Sequence, residues 1–310
     1  MPQVITTGAF ADLLKVNNVL EEIFYSNLRE QRPVFEQIFN LPPIVPKASV
    51  DAKTLAGFDV YSEKAQSADI DFDTILDGFR TRYIYVALAS GFSVSHEMQS
   101  DEQYGIIQQL PRKLAEAGPR SVDILAADVL NNGGSLNEKF LQTGVRGDNL
   151  SLFNTAHTLL GGGTYGNDAA SAADISVTSL QVNLSVFEKQ LGDQSEFLDI
   201  DAKTILVPIE AQWDAREILS SPDRPDTAER ARNILRDEDL QVIKWKRLTD
   251  EDTWFILAPK EQHHLNMRWR EKLSTFGWRD DRTMDFLWRA YMRFSIGHDD
   301  WRGTRRIQGA

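Results

Sequence analysis

The sequence predicts an α+β subunit, in which helical and strand-rich stretches follow one another around a hydrophobic core. Three observations predict this class: apolar residues at helical spacing near the N-terminus, an alternating stretch at residues 79–86, and a long helical pattern at residues 101–132. The 310 residues, with 42% apolar and 26% charged side chains, have the composition of an ordinary globular protein. One large domain or two modest ones fit this length.

The composition excludes several classes of protein. No apolar run approaches the ~20 residues that a membrane-spanning helix needs. The first residues, Met1-Pro2-Gln3-Val4, lack the basic and apolar regions of a secretory signal. The lack of cysteine excludes disulfides and thiolate metal sites and is typical of a protein made in a reducing cytosol. We therefore expect a soluble, intracellular protein without a membrane partner.

The net charge of −12 disfavours nonspecific binding to nucleic acid, which needs clustered Lys and Arg. The charge is uneven, because from Lys260 to the end 11 basic and 7 acidic residues give +4 and the remainder carries −16. Two interpretations stay open. The asymmetry is either chance or a sign that oppositely charged regions meet between copies and orient their assembly.

The N-terminal stretch predicts a helix on an extended arm. Apolar residues recur there at helical spacing: Phe10, Leu13, Leu14, Leu20, Ile23, Phe24 and Leu28. Pro33 ends or redirects this helix, and three prolines within 42–46 keep the next segment extended. An arm of this kind cannot bury its own apolar face, so we expect it to need another surface to lie against.

The next stretch predicts a long two-stranded hairpin. Residues 57–61 and 79–86 contain β-formers, and the second run alternates cleanly. Residues 62–77 between them are polar and acidic, which indicates a mobile tip that carries little core material. An isolated hairpin is marginal in water, so this one also needs a partner surface.

Residues 101–132 predict a helix, since apolar side chains step by three or four. Pro111 and Pro119 interrupt the pattern, and a proline in a helix interior costs about 3 kcal/mol or more. The result is either one long helix with bends or two or three segments in a row. Asn131-Asn132-Gly133-Gly134 ends it.

The rest of the chain alternates loops with short elements. Glycine-containing loops occupy 143–148 and 161–167, and helices are predicted at 177–191 and 210–219. The predicted strands are a buried strand at 204–208, a hairpin of 242–248 with 253–258 around Thr249-Asp250-Glu251-Asp252, and a closing strand within 284–296.

No catalytic motif emerges. The glycines at 161–163 lack the lysine and the strand-to-helix order of a phosphate-binding loop, so we interpret them as a flexible connector. No His-Glu-x-x-His metal motif and no Gly-x-Ser-x-Gly elbow is present, although a site assembled from distant positions stays possible. The five histidines are His96, His157, His263, His264 and His298. No catalytic, cofactor-binding or metal residue is nominated, and no cofactor is expected.

Acidic pairs and tryptophans have ordinary structural interpretations. Asp280-Asp281 and Asp299-Asp300 are more often solvated turns than catalytic carboxylate pairs. The tryptophans at 213, 245 and 254 fall inside regular elements, so we expect Trp213, Trp245 and Trp254 to be core residues.

A string of motifs resembles a known family. It is strongest at 152–157 (LFNTAH) with the glycines that follow. It also includes 91–98 (GFSVSHEM), 101–105 (DEQYG), 110–112 (LPR), 129–132 (VLNN), 205–208 (ILVP), 218–221 (ILSS), 248–255 (LTDEDTWF) and 298–303 (HDDWRG). In this order, over about residues 50–310, they resemble the major head subunits of tailed bacteriophages, specifically the Mu-like gpT class.

The resemblance implies the Hong Kong 97-type capsid fold and a non-enzymatic subunit that self-assembles into an icosahedral shell around double-stranded DNA. It implies five regions: an N-terminal arm at 1–48, an E-loop hairpin at 49–92, a P-domain with a long spine helix at 93–160, an A-domain at 161–271, and a closing P-domain strand with the C-terminus at 272–310. His157 would be a structural residue near the junction of the P- and A-domains.

The resemblance also implies partners. These are further copies in hexamers and pentamers, a scaffolding protein, a portal and decoration proteins, with DNA enclosed but not bound sequence-specifically. Some relatives cross-link an E-loop lysine, and Lys53 and Lys64 are the lysines of this stretch, but nothing in the sequence indicates that either reacts. The chain reaches its arm at once, so we expect separate scaffolding. The alternatives are an encapsulin-type nanocompartment shell and a soluble hydrolase or metal enzyme.

Overall fold

The computed structural model describes residues 19–28, 33–55, 57, 63–64, 66, 69, 77–101, 106–223 and 232–310. The helices are α1 at 19–28, α2 at Phe35–Ile38, α3 at His96–Ser100, α4 at Ile106–Asn131, α5 at Val177–Glu188 and α6 at Gln212–Ser220, with a 3-10 turn at Ile234–Arg236. None of these described helices is long and apolar enough to cross a membrane.

Eleven strands are present in the described part of the chain. They are β1 at Ser49–Leu55, β2 at Asp77–Ile84, β3 at Val86–Val94, β4 at His157–Thr158, β5 at Thr164–Tyr165, β6 at Thr204–Val207, β7 at Gln241–Lys244, β8 at Trp254–Leu257, β9 at Leu265–Arg279, β10 at Phe286–His298 and β11 at Thr304–Ile307. They form four sheets, ordered β1-β2, β3-β10-β9, β11-β8-β6-β7 and β4-β5.

The N-terminal arm finds a partner surface inside its own subunit. Leu20 and Phe24 of α1 are buried, and Phe24 meets the Trp288 ring of β10 edge-on with centroids 5.3 Å apart. The helix of the arm therefore lies against another surface, as expected, and the β10 face and α4 of its own chain supply that surface. The segment that follows, 41–46, is not helical, as its prolines predict. The predicted helical positions before residue 19 lie outside the described residues.

The hairpin is present, but its strands differ from the prediction. β1 and β2 pair antiparallel from Ser49↔Ile84 to Leu55↔Asp77, so the first strand lies earlier than the predicted 57–61, of which only Gly57 is described. The predicted strand 79–86 is divided between two sheets: β2 pairs with β1, whereas β3 pairs with β10.

Helix α4 runs without a break through Pro111 and Pro119. The first of the two alternatives, one long helix, is therefore correct. Its apolar stripe explains the continuity, because Val122, Ala126 and Leu130 are buried in the main core against the β9–β10 face. Burial of about 1.5–3 kcal/mol per large apolar side chain offsets the backbone bonds that the prolines remove.

The four-stranded sheet corrects a second prediction. Residues 242–248 and 253–258 do not form a hairpin, because β6 lies between β7 and β8, parallel to the first and antiparallel to the second. The reason is burial: Ile205, Leu206 and Val207 of β6 are all 0% exposed, as expected of a central strand paired on both sides. The closing strand is confirmed as β10, which pairs with both β3 and β9.

Candidate functional site

The five histidines do not converge on one point. His96 lies at the start of α3, His263 and His264 precede β9, and only His157 and His298 share a region, a buried polar junction beneath the C-terminal segment. Among the described residues, no group of three or more His, Asp or Glu side chains is arranged to hold a metal ion.

Asn167 is the centre of this polar junction. Its side chain is fully buried, and its Nδ2 donates to the Leu152 carbonyl (2.8 Å) and the Trp301 carbonyl (3.3 Å). Its Oδ1 accepts from the Asn154 backbone N–H at 3.0 Å and lies 3.1 Å from His157 Nε2. One side chain therefore joins the 152–157 loop to the loop before β11.

His157 links this centre to Asp148. Its Nδ1 lies 2.6 Å from Asp148 Oδ2, so the two ring nitrogens face one oxygen atom each. Burial acts to raise the pKa of Asp148, but the bonds from His157 and the Leu150 N–H outweigh it, so the pKa lies below its usual value. The imidazole stacks on Trp301 with centroids 4.6 Å apart. Among the described residues, no serine, threonine or cysteine side chain is hydrogen-bonded to the ring.

The pair Asp299-Asp300 is not a solvated turn, which corrects the sequence-based expectation. Asp299 accepts hydrogen bonds from Tyr83, from Asn266 (2.7 Å) and from Arg268 (3.3 Å). Burial raises its pKa despite these partners. Asp300 pairs with Arg302 at 2.7 Å. Both carboxylates hold the end of β10 against the hairpin base and against the segment before β11.

Asp280-Asp281, by contrast, does lie in the exposed turn between β9 and β10. The glycines 161–163 form the turn of the small β4–β5 hairpin, where Gly162 and Gly163 have φ of 100° and 90°. They therefore fix a tight turn rather than serve as a loose connector. Trp245 and Trp254 are fully buried as predicted, but Trp213 is 67% exposed, so that prediction is wrong.

Two grooves of about 600 and 400 Å³ flank α4 and share Gly118, Leu273 and Met292 in their linings. Both are mainly apolar. The charged groups in them are Glu36 and Lys272 in the first and Lys139 in the second, and neither groove contains a histidine. No arrangement of nucleophile and base is present in either lining.

His298 gives the junction a predictable response to acid. Burial lowers its pKa from 6.5 to about 4, although Asp148 and Asp300 act in the opposite direction; His157 and Arg146 lower it further. The folded-state pKa of His298 is below the unfolded value, so burying the neutral ring favours the folded state at high pH. This contribution to the free energy of unfolding is fully present above pH 6.5 and is lost as the pH falls towards 4. The difference amounts to about 3 kcal/mol. Urea unfolding at pH 7 and pH 4.5 should show this loss, and His298→Gln should reduce it. Equal pH dependence in both proteins would contradict the assignment.

Comparisons with known proteins identify the fold. A family model described as phage capsid protein matches residues 81–307. A chain from the structure of Microbacterium phage Oxtober96 aligns at 11% identity over 90% of this chain and 92% of that chain, with a TM-score of 0.57. The procapsid of bacteriophage JBD30 aligns at 14% identity over 99% and 77%, with a TM-score of 0.55.

A virus-like particle from Pyrococcus furiosus aligns at 11% identity over 93% of this chain and 97% of that chain, with a TM-score of 0.53. No curated protein sequence matches the chain significantly. At these identities the structures show the fold alone. The neighbours have the Hong Kong 97-type capsid fold, which confirms the predicted α+β class and architecture.

Proposed function

The chain belongs to the phage capsid protein family and is a major capsid protein, and from this premise we propose that its copies assemble into an icosahedral shell that encloses double-stranded phage DNA. The family match carries the proposal, because residues 81–307 include α4, the three-stranded sheet and the four-stranded sheet. The membership points to a structural protein rather than an enzyme. It also favours a phage shell over an encapsulin-type compartment, although the Pyrococcus particle has the same fold.

We assign the five regions of the family to this chain. The arm is 1–48, the E-loop hairpin 49–92, the P-domain 93–160 with α4 as its spine helix, the A-domain 161–271, and the closing strand with the C-terminus 272–310. In support of the division at residue 161, the cluster of α5 contains no residue before 161. The cluster of α4 and β10 also takes in Leu206, Phe255 and Leu257, so the four-stranded sheet packs against the P-domain as well. The motif string supports the finer assignment to the Mu-like major head subunits.

The partners follow from this assignment. Copies would associate as hexamers and pentamers in the host cytoplasm, helped by a scaffolding protein and completed by a portal and decoration proteins. The net charge of −12 supports an inner wall that repels packed DNA and lets it slide, without sequence-specific contacts.

We expect the purified protein to form closed shells. Subunits of large assemblies bury several thousand Å² in obligate interfaces, and the β1–β2 hairpin, with no fully buried residue in β1, is available for such contacts. Negative-stain microscopy and sedimentation of the expressed protein would measure this. A stable 35.1 kDa monomer at high concentration would refute the proposal. Shells that contain cargo protein but never DNA would favour the nanocompartment alternative.

A further inference from the structure

Arg146 carries a buried guanidinium group that makes no hydrogen bond within the described part of the chain. Only 5% of the residue is exposed, and its Nε and Nη1 are buried without a hydrogen-bond partner there. Its Nη2 lies 3.7 Å from a carboxylate oxygen of Glu138, too far for a hydrogen bond, and the Glu138 side chain is 67% exposed. A guanidinium has five N–H donors and stays charged in proteins, so most of its donors and much of its charge lack a partner.

Other buried arginines of this subunit are paired with carboxylates. Arg302 donates to Asp193 at 2.8 Å, with both side chains 7% exposed. Arg306 donates twice to Asp168, at 2.9 and 2.6 Å. Burying a charge is costly unless a hydrogen-bonded partner of opposite charge is buried with it. Arg146 lacks such a partner among the described residues, so its environment favours a negative charge from outside the chain.

Arg146 belongs to a loop that is held against β2 and against the end of β10. The N–H of its neighbour Gly147 donates to the Thr81 hydroxyl of β2 at 2.9 Å. That hydroxyl donates in turn to the carbonyl of Asp299, the residue directly after β10, at 3.4 Å. The loop, the base of the hairpin and the end of β10 therefore meet beside Arg146.

His298, the last residue of β10, adds a second polar atom without a partner at this place. The residue is 8% exposed, and its Nδ1 is buried with no hydrogen-bond partner in the described part of the chain. Burial is the main cause of its low pKa, and the positive charge of Arg146 is a further one, so the two groups lie close enough to interact. A neutral imidazole keeps one N–H, which Nδ1 can carry and donate.

We propose that the guanidinium of Arg146 binds a small monovalent inorganic anion of the size of chloride, with His298 Nδ1 as a further donor. A water molecule can accept hydrogen bonds from both groups, but it does not balance the buried charge. An anion does both. It holds the 143–148 loop at the point where the base of the hairpin meets the end of β10.

The neighbouring carboxylates favour a monovalent anion over a divalent one. Asp148 and Asp300 both act on His298, so they lie near enough to repel a second negative charge. Each of them already has a partner, because Asp148 lies 2.6 Å from His157 Nδ1 and Asp300 accepts from Arg302 at 2.7 Å. Neither is hydrogen-bonded to the unpaired guanidinium within the described part of the chain.

The first test measures how chloride affects urea unfolding of the full chain at pH 7. Sodium chloride is exchanged for sodium gluconate, whose anion is too large for a buried site, at constant ionic strength so that screening does not change. One anion that binds only the folded chain raises the folding equilibrium constant by about tenfold for each tenfold rise in chloride above its dissociation constant. An unfolding midpoint that is the same in both salts would overturn the proposal.

Two matched substitutions locate the response. Arg146→Met removes the charge and the donors but keeps an unbranched side chain, and it should abolish the dependence on chloride. Replacing an unpaired buried charge with an apolar group is often neutral or stabilising, so this variant should fold. Arg306→Met is the control, because it removes a buried arginine that has its own carboxylate. It should lower stability and leave the chloride response unchanged. An unchanged response in Arg146→Met would show that chloride binds elsewhere.

Bromide locates the anion without any substitution. It replaces chloride in most sites and scatters X-rays anomalously, so crystals of the unaltered protein grown in sodium bromide should show an anomalous peak within hydrogen-bond distance of Arg146 Nε or Nη1. A solvent peak without anomalous signal at this position would mean that water is bound to the guanidinium, and the proposal would be wrong.

Discussion

A subunit with a shortened hairpin should fold normally and fail to form shells. The change replaces residues 56–76 with Asp-Gly, which joins Leu55 to its register partner Asp77 through a two-residue turn. The deletion keeps both paired strands and every described member of the three hydrophobic clusters. Closure entropy varies slowly with loop length, and the free energy of unfolding should change by only about 1–2 kcal/mol.

Assembly, in contrast, loses a contact in every subunit. A loss of only about 1.4 kcal/mol reduces each association constant tenfold, and the loss is repeated around each ring. Sedimentation should therefore show almost no shells, while urea unfolding shows an intact subunit. Normal shells would mean that the hairpin is not an assembly contact, and a collapsed unfolding transition would mean that it contributes to the core.

A variant that keeps the full length of the hairpin shows whether its length or its negative charge is needed for assembly. Glu63→Gln with Asp69→Asn, Asp71→Asn and Asp73→Asn keeps the size of each side chain and removes four negative charges. If the contact depends on the negative charges, this variant should assemble as poorly as the shortened one. If the contact depends on the backbone, the neutral variant should form shells, and only the shortened variant should not assemble.

The order of the four-stranded sheet shows what local pattern misses. Thr249-Asp250-Glu251-Asp252 has good turn residues, which favoured a hairpin. Yet nine residues separate Lys244 from Trp254, more than the two to five of most hairpin loops. The continuous apolar run of β6 already indicated a central strand that needs two neighbours. The long connection between β7 and β8, taken together with the apolar run of β6, would have predicted that β6 lies between them.

Trp213 shows that element type alone does not predict burial. The buried positions of α6 are Gln212, Ala215 and Ile218, spaced by three along one stripe. Trp213 lies one position off that stripe and points to solvent, with the Arg216 guanidinium 5.9 Å from its ring. The 3.6-residue period of an α-helix, applied to the sequence of α6, predicts that Trp213 is exposed. Trp254 lies in β8, an inner strand of the sheet, and is buried as predicted. Trp245 directly follows the edge strand β7 and is buried because it packs into the cluster of α4, where its Nε1 donates to Asp123 at 3.0 Å.

Polar partners distant in sequence account for the remaining misses. Asp299 is bonded to Tyr83, 216 residues away, and to Asn266, 33 residues away. No local pattern encodes such pairs, because they exist only once β2, β9 and β10 are packed together. The resemblance at 152–157 implied a structural role for His157, but its partners Asp148 and Asn167 could be identified only in three dimensions.

Asn167→Ala should cause a large loss of subunit stability. The substitution leaves the buried Leu152 carbonyl and the Asn154 N–H without their side-chain partner, and it removes the acceptor of His157 Nε2. A buried polar group without a partner costs about 1–3 kcal/mol, so we expect a total of about 3–5 kcal/mol, which few single substitutions reach.

The matched control is Asn132→Ala, the same chemical change at an exposed position whose side chain donates to Asp128. It should alter stability by no more than about 0.5 kcal/mol. Urea unfolding of dissociated subunits gives both values without the contribution of the shell. The loss should exceed that of His157→Ala. Asn167 joins the loop before β11 to the 152–157 loop with three or more hydrogen bonds, whereas His157 is hydrogen-bonded to Asp148 and Asn167 and stacks on Trp301. Equal effects at residues 167 and 132 would show that the Asn167 bonds are replaced by water, and the junction would then not be a structural centre of the subunit.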